Sequence, residues 1–355
     1  MGIFPGCRPL ALAPVLARAG GRDTRAMARH PNPLPSSLGP VFTWEEARAA
    51  GVSTGRLRAR DVAHPHRGLL VTPASASRGD GRDDNADPFA TDRARRAELW
   101  DRARLYGRLM VAHAFFAGRT AAALWGMPVD PSGPLEVAVP SPHRAPRRHG
   151  IRSRQVSQDL VAVVEVEGVR ASDPASTWGL LAAEMSVREL VRIGDAIVRE
   201  PRGPGGFRHP GGALASIDDL QRATDAGRRR GIARMRAALP LIRVGSASPL
   251  ETDFRLLAEQ EGLPESSLDV EIRDDWGRLL GITEIAYRDF RVLVEIEGDH
   301  HRTSRRQWNR DIEKYAAYVA EGYEVVRLTA AHIRGAEPVA ARIVREVLLR
   351  RGWRP

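Results

Sequence analysis

The residues from Gly281 to His301 read GITEIAYRDFRVLVEIEGDHH, and their types and spacing are the ones best suited to chemistry. Phe290, Val292, Val294 and Ile296 alternate with Arg291, Leu293, Glu295 and Glu297. A β-strand therefore puts both glutamates on one face, two residues apart. The run Ile282 to Tyr287 precedes it across Arg288 and Asp289, the length of a two-residue hairpin loop. If Tyr287 pairs with Phe290, Glu284 stands opposite Leu293 and diagonal to Glu295, about 7–8 Å away between backbones. Glu284, Glu295 and Glu297 then converge, whereas an odd loop would send Glu284 to the other face. Converging carboxylates repel one another. A protein keeps them together when a divalent cation sits among them, or when some are protonated or solvated. Mg²⁺ accepts one or two carboxylates plus waters, so Glu284 and Glu295 suffice for a site; a wet acidic face on an edge hairpin is the alternative.

The flanking elements must position this cluster. Ser248-Pro249-Leu250-Glu251 opens a helix, with Glu251 at the place where a capping glutamate reaches back to a main-chain N–H. His300 and His301 point to opposite sides of an extended chain, so at most one faces the acids. In the helix expected over Thr303 to Gly322, Trp308, Ile312, Tyr315 and Val319 recur at helical spacing and form the expected core stripe. Asp311 and Lys314 lie together at i, i+3 on the adjoining face, where an ordinary ion pair is one reading. The strand Tyr323 to Thr329 follows.

This arrangement resembles the PD-(D/E)XK nuclease superfamily, and within it the domains similar to very-short-patch-repair endonucleases. The pattern there is a helix with Glu, a strand with an acidic residue, a strand ending E-x-[DE]-G-x-x-H, and a helix with D-x-x-[RK]. Here those positions hold Glu251, Glu284, then Glu295, Glu297, Gly298 and His301, then Asp311 and Lys314, over about 105 residues. The resemblance implies Mg²⁺ or Mn²⁺ held by Glu284 and Glu295 with help from Glu297 or Glu251. It also implies His301 as acid or base, Lys314 supporting charge on the phosphate, and Asp311 orienting His301 or Lys314. Two positions differ from the family: Glu284 stands where Asp is usual, and Glu297 stands where the superfamily has its lysine.

Near the N-terminus, Phe42 to Ala59 reads FTWEEARAAGVSTGRLRA. Thr43 and Glu46 have capping-box spacing, Gly51 ends a short helix, Ser53 caps a second, and HRGLLV (His66 to Val71) reads as a wing strand. GVSTGRLR followed by HRGLLV resembles the winged-helix segment of AbiEi-type antitoxins, which implies DNA contacts by Arg56, Arg58 and Arg60. The fold class expected is α/β. A winged-helix-like module (40–73) and an α/β middle region (93–199) precede a restriction-endonuclease-like C-terminal domain (217–355). Residues 1–39 are expected to be a disordered extension, and 74–92 and 200–216 are expected to be linkers, from their Gly, Pro, Asp and Ser content.

Composition narrows the partners. The 355 residues carry a formal net charge of +10, which favours a polyanion such as DNA, although Lys314 is the sole lysine and so heavy an arginine bias also follows from genome composition. Cys7 is the only cysteine, excluding intramolecular disulfides and cysteine-based zinc sites and pointing to the cytoplasm. No apolar run approaches membrane-spanning length. The expectation is a metal-dependent DNA endonuclease. Its alternative is a non-catalytic DNA-binding regulator or antitoxin of AbiEi type with a toxin or other protein partner, and an RNA substrate fits the same chemistry.

Overall fold

The computed structural model describes residues 31–66, 68–72, 90–203, 206–209, 211–297 and 305–355. The chain is an α/β protein with three separate sheets. Residues 74–89 of the linker expected over 74–92, and most of the extension expected over 1–39, lie outside the described residues, while residues 90–92 already belong to the helix that follows. Leu34 and Leu38, within that extension, pack against the first small core.

The N-terminal elements are β1 (Val41–Thr43), α1 (Trp44–Ala49), α2 (Thr54–Leu57), β2 (Ala63–His66) and β3 (Leu69–Val71), with strand order β1-β3-β2. The capping box is formed: Thr43 N–H donates to Glu46 Oε2 at 2.6 Å and Glu46 N–H to Thr43 Oγ1 at 3.1 Å. Ser53 caps α2, and Gly51 takes the left-handed φ of +74° that turns the chain between the helices. Phe42, Ala47, Leu57, Val62 and Leu70 form the core.

The middle region runs α3 (Ala90–Gly107), β4 (Phe115–Phe116), α4 (Gly118–Leu124), β5 (Leu135–Pro140), β6 (Ile151–Val156), β7 (Val163–Val166), β8 (Val169–Ser172), α5 (Pro174–Leu181) and α6 (Val187–Val198). Its sheet has the order β6-β5-β4-β8-β7. The boundary expected at residue 217 is displaced. The helices α7 (Ile217–Asp225) and α8 (Ile232–Ala238) pack Leu220, Met235 and Ala238 against Trp178, Leu190 and Ile193 of the middle region. The stretch expected as a linker over 200–216 is also partly structured: Arg202 bridges to Arg208, and both guanidinium groups bind Asp269. Gly and Pro content suggests flexibility, while the pairing of the partly buried Arg202 and the exposed Arg208 with Asp269 fixes the segment.

The C-terminal layer contains α9 (Pro249–Gln260), β9 (Ser267–Arg273), β10 (Leu279–Tyr287), β11 (Val292–Glu297), α10 (Arg305–Ala320), β12 (Glu324–Thr329), α11 (Ala330–Arg334) and α12 (Ala340–Arg350). The sheet order is β12-β11-β10-β9. β11 and β12 are parallel, so the chain must cross over between them, and α10 makes that crossover. Val292, Val294 and Ile296 face Phe254 of α9 and Val344 and Leu348 of α12, while Leu293 faces Tyr318 of α10. The sheet is thus sandwiched between helices. α9 is tied to α6: Asp253 accepts from Arg192 at 2.7 Å, and Asp195 accepts from Arg255 at 2.9 Å and Thr252 at 2.8 Å.

Candidate functional site

The hairpin register decides which acids meet. Tyr287 pairs with Val292, Ala286 with Leu293 and Ile285 with Val294, so the connection is four residues, Arg288 to Arg291, where two were expected. A 3-10 turn and a left-handed Arg291 (φ +51°) absorb the extra pair. The loop stays even, and the two-residue shift in register brings Glu284 toward Glu295 itself instead of Leu293.

Simple alternation does not hold along β10. A Cβ on Gly281 would meet Lys314 and Tyr318 of α10, while Ile285 and Tyr287 join the core on the opposite side of the sheet. On the neighbouring strand Asp269 has a left-handed φ of +51°. The facing changes at Glu284, and its Oε2 accepts the main-chain N–H of Ile296, next to Glu295, at 2.8 Å. The acid pair therefore converges where the strand twists.

Glu295 is 3% exposed. Its Oε2 accepts from Lys314 Nζ at 2.7 Å, while among the described residues its Oε1 is buried without a hydrogen-bond partner. Burial, reinforced by the nearby charges of Glu295 and Glu251, pushes the Glu284 carboxyl up from 4.5 to about 8. At neutral pH Glu284 is largely protonated. Lys314 also lies 5.0 Å from the Tyr315 ring centre and 5.7 Å from that of Tyr318. The Tyr318 hydroxyl is buried, unpartnered among the described residues, and raised in pKa by desolvation and then by Glu295.

The other expected residues are placed as follows. Glu251 is buried; Ser248 Oγ accepts its N–H at 3.3 Å, and its carboxylate accepts the Ala247 N–H at 2.6 Å. Its capping task is real, yet its charge reaches Glu284, and burial raises its own pKa. Glu297 is drawn into an ion pair with Arg327 of β12. His301 lies outside the described residues. Asp311 acts electrostatically on Tyr315, and Lys314 pairs with Glu295 across to the sheet.

The stripe expected on α10 is rotated. Ile312 and Val319 are 52% and 61% exposed, whereas Tyr318 is fully buried and Lys314 and Tyr315 are half-buried. The helix turns its functional side inward because Glu295 needs a buried cation. Sequence reasoning missed Gly281 and Tyr318. A glycine inside a strand marks a close approach, and Tyr318 falls four residues after Lys314, so both left a signal.

At the N-terminus Arg56 is a correction. Its Nη1 and Nη2 bind both Asp61 oxygens at 2.9 and 2.7 Å, and its side chain is only 12% exposed. It braces the module and is not available to a phosphate. Arg58 and Arg60 are exposed.

Could a divalent cation fit the acid pair? Among the described residues no group of three or more His, Cys, Asp or Glu side chains is arranged to hold a metal. The donor set is the pair Glu284 and Glu295, with the orphaned Oε1 of Glu295 as the unsatisfied ligand atom. Two carboxylates completed by water are an ordinary Mg²⁺ environment, so the residues fit.

Fold and site together define an α/β protein with a buried, lysine-supported acid pair in its C-terminal sheet. The chain is similar to the uncharacterized Mycobacterium tuberculosis proteins MT2308 (strain CDC 1551 / Oshkosh) and Rv2248 (strain ATCC 25618 / H37Rv). Each is 26% identical over 252 residues, covering 68% of this chain and 87% of the relative. A crystal structure of the RV2827C protein from Mycobacterium tuberculosis aligns with a TM-score of 0.35 and 17% identity over 66% of this chain and 84% of that one. No family model matches the sequence. Among the described residues, no helix is long and apolar enough to cross a membrane.

Proposed function

We propose that the protein is a cytoplasmic, divalent-metal-dependent endonuclease acting on DNA. The observation that carries this reading is the orphaned Oε1 of Glu295 beside a Glu284 carboxyl that burial keeps protonated. A buried acid pair with one unsatisfied oxygen is costly in a fold; a cation that displaces the Glu284 proton would satisfy that oxygen and let both carboxylates carry their charge. Glu284 and Glu295 would hold Mg²⁺ or Mn²⁺. When bound, the metal supplies Lewis acidity for the phosphate and lowers the pKa of water. Lys314 orients Glu295 through its 2.7 Å contact and brings positive charge to the same pocket. Arg58 and Arg60 supply phosphate contacts in the N-terminal module.

A second reading, a non-catalytic DNA-binding regulator of AbiEi type, is favoured by the engagement of Glu297 with Arg327, which leaves only a pair of acids for a metal. Incubating the protein with duplex DNA, single-stranded DNA and RNA in Mg²⁺, Mn²⁺ or EDTA separates the two. Metal-dependent cleavage that Glu295→Gln abolishes supports the nuclease. Binding of duplex DNA without cleavage under every condition supports the regulator.

A further inference from the structure

The connection from β5 to β6 is unusual in how it is built. The two strands are parallel, pairing Leu135 with Ile151 through Pro140 with Val156, so the chain must return the full length of the sheet between them. A helix commonly makes such a return. Here it is an irregular ten-residue stretch, SPHRAPRRHG, in which five of the seven residues from His143 to His149 are Arg or His and no residue is acidic.

The loop is ordered by its main chain. Gln155 Nε2 donates to the His143 carbonyl at 2.9 Å, the Ser153 hydroxyl donates to the Pro146 carbonyl, and Ile151 N–H donates to the Arg148 carbonyl at 3.2 Å. No carboxylate of its own anchors it, and Arg144 and Arg147 are exposed. Exposed cations grouped on one loop make a positive patch that attracts a polyanion.

Beside the loop lies a cleft of about 480 Å³ walled by Val111, His113, His143, Ala145 and Pro146, with Arg144 and Arg147 at its margin. The His113 and His143 rings stack with centroids 3.8 Å apart and planes 14° from parallel. Desolvation, then His143 and Arg170, hold His113 below its ordinary pKa. An apolar, ring-walled cleft edged by guanidinium groups suits a flat base with its phosphates outside. An acidic protein segment would use the arginines and leave the cleft unused.

We infer that this loop is a nucleic-acid docking surface in the middle region, with Arg144 and Arg147 on the phosphodiester backbone and an unstacked base in the cleft beside the His113–His143 stack. The surface is separate from the acid pair and from Arg58 and Arg60. It does not depend on cleavage.

Fluorescence anisotropy of the full chain with a labelled 20-nucleotide strand and a 20-base-pair duplex, in EDTA and across a salt series, tests it. Arg144→Ala/Arg147→Ala should weaken both and reduce the slope of log K against log salt by about 1.8 for the duplex, at about 0.9 per phosphate contact. His143→Ala should weaken the single strand by about 5-fold or more and the duplex less, because stacking needs an exposed base face. Binding is read in EDTA, without cleavage, so a failed nuclease reading leaves this result standing. Unchanged affinity and slope in the double variant overturn the inference. So does wild-type protein that binds neither probe, or arginine-dependent binding of polyphosphate without binding of either nucleic acid.

Discussion

Replacing Glu284 by glutamine tests the electrostatics of the acid pair without removing its shape. Glutamine copies the protonated carboxyl. Its oxygen can accept the Ile296 N–H that Glu284 accepts at 2.8 Å. In the wild type burial raises Glu284 from 4.5 to about 8. Between those values the folded protein keeps a proton that the unfolded chain has released. Stability from this group is therefore complete below about 4.5 and is lost as pH rises through about 8. The displacement corresponds to at most about 5 kcal/mol, and about 2 kcal/mol is a reasonable floor for so buried a group. Urea denaturation in EDTA at pH 5, 6, 7 and 8 should show the wild type losing stability relative to Glu284→Gln by at least about 2 kcal/mol across the series. Glu251 is present in both proteins, so the difference reports Glu284 together with its coupling to Glu251. Parallel stability curves for the two proteins would refute the reasoning.

Lys314→Met leaves the buried Glu295 without its cation and should cost about 3–5 kcal/mol at pH 8 by urea denaturation in EDTA, with a smaller loss at pH 5. Gly281→Ala puts a methyl group against the Tyr318 hydroxyl and the Lys314 stem and should lower stability by about 1–3 kcal/mol, read by the same assay. Arg56→Ala should lower the thermal stability of the N-terminal module by breaking the two bonds to Asp61. Arg58→Ala/Arg60→Ala should leave the melt unchanged and lower DNA affinity with a shallower salt dependence, measured by anisotropy.

The local chemistry of this chain was readable where it depends on neighbours in sequence. The box at Thr43–Glu46 and the cap at Ser53 form as their spacing requires. The strand carrying Glu295 and Glu297 lies where alternation puts it. What could not be read was tertiary. The four-residue turn, the change of facing at Glu284 and the inward placement of Lys314 and Tyr318 on α10 depend on contacts between elements distant in sequence. Arg56 shows the converse error. It was read as a DNA contact from its position in the second helix, but a bidentate partner five residues later, Asp61, uses it locally. The module boundary was missed because α7 and α8 pack backward onto Trp178 and not forward onto the sheet.

The most direct test of the acid pair as a metal site is calorimetric titration of Mn²⁺ into the full chain at pH 8, with Glu295→Gln beside it. Glutamine preserves the shape at 295 and removes the charge whose second oxygen has no partner. The expected result is one saturable site in the wild type and no saturable heat in the variant. Equal isotherms for the two proteins, or no saturable heat in the wild type, would contradict a metal site built on Glu284 and Glu295.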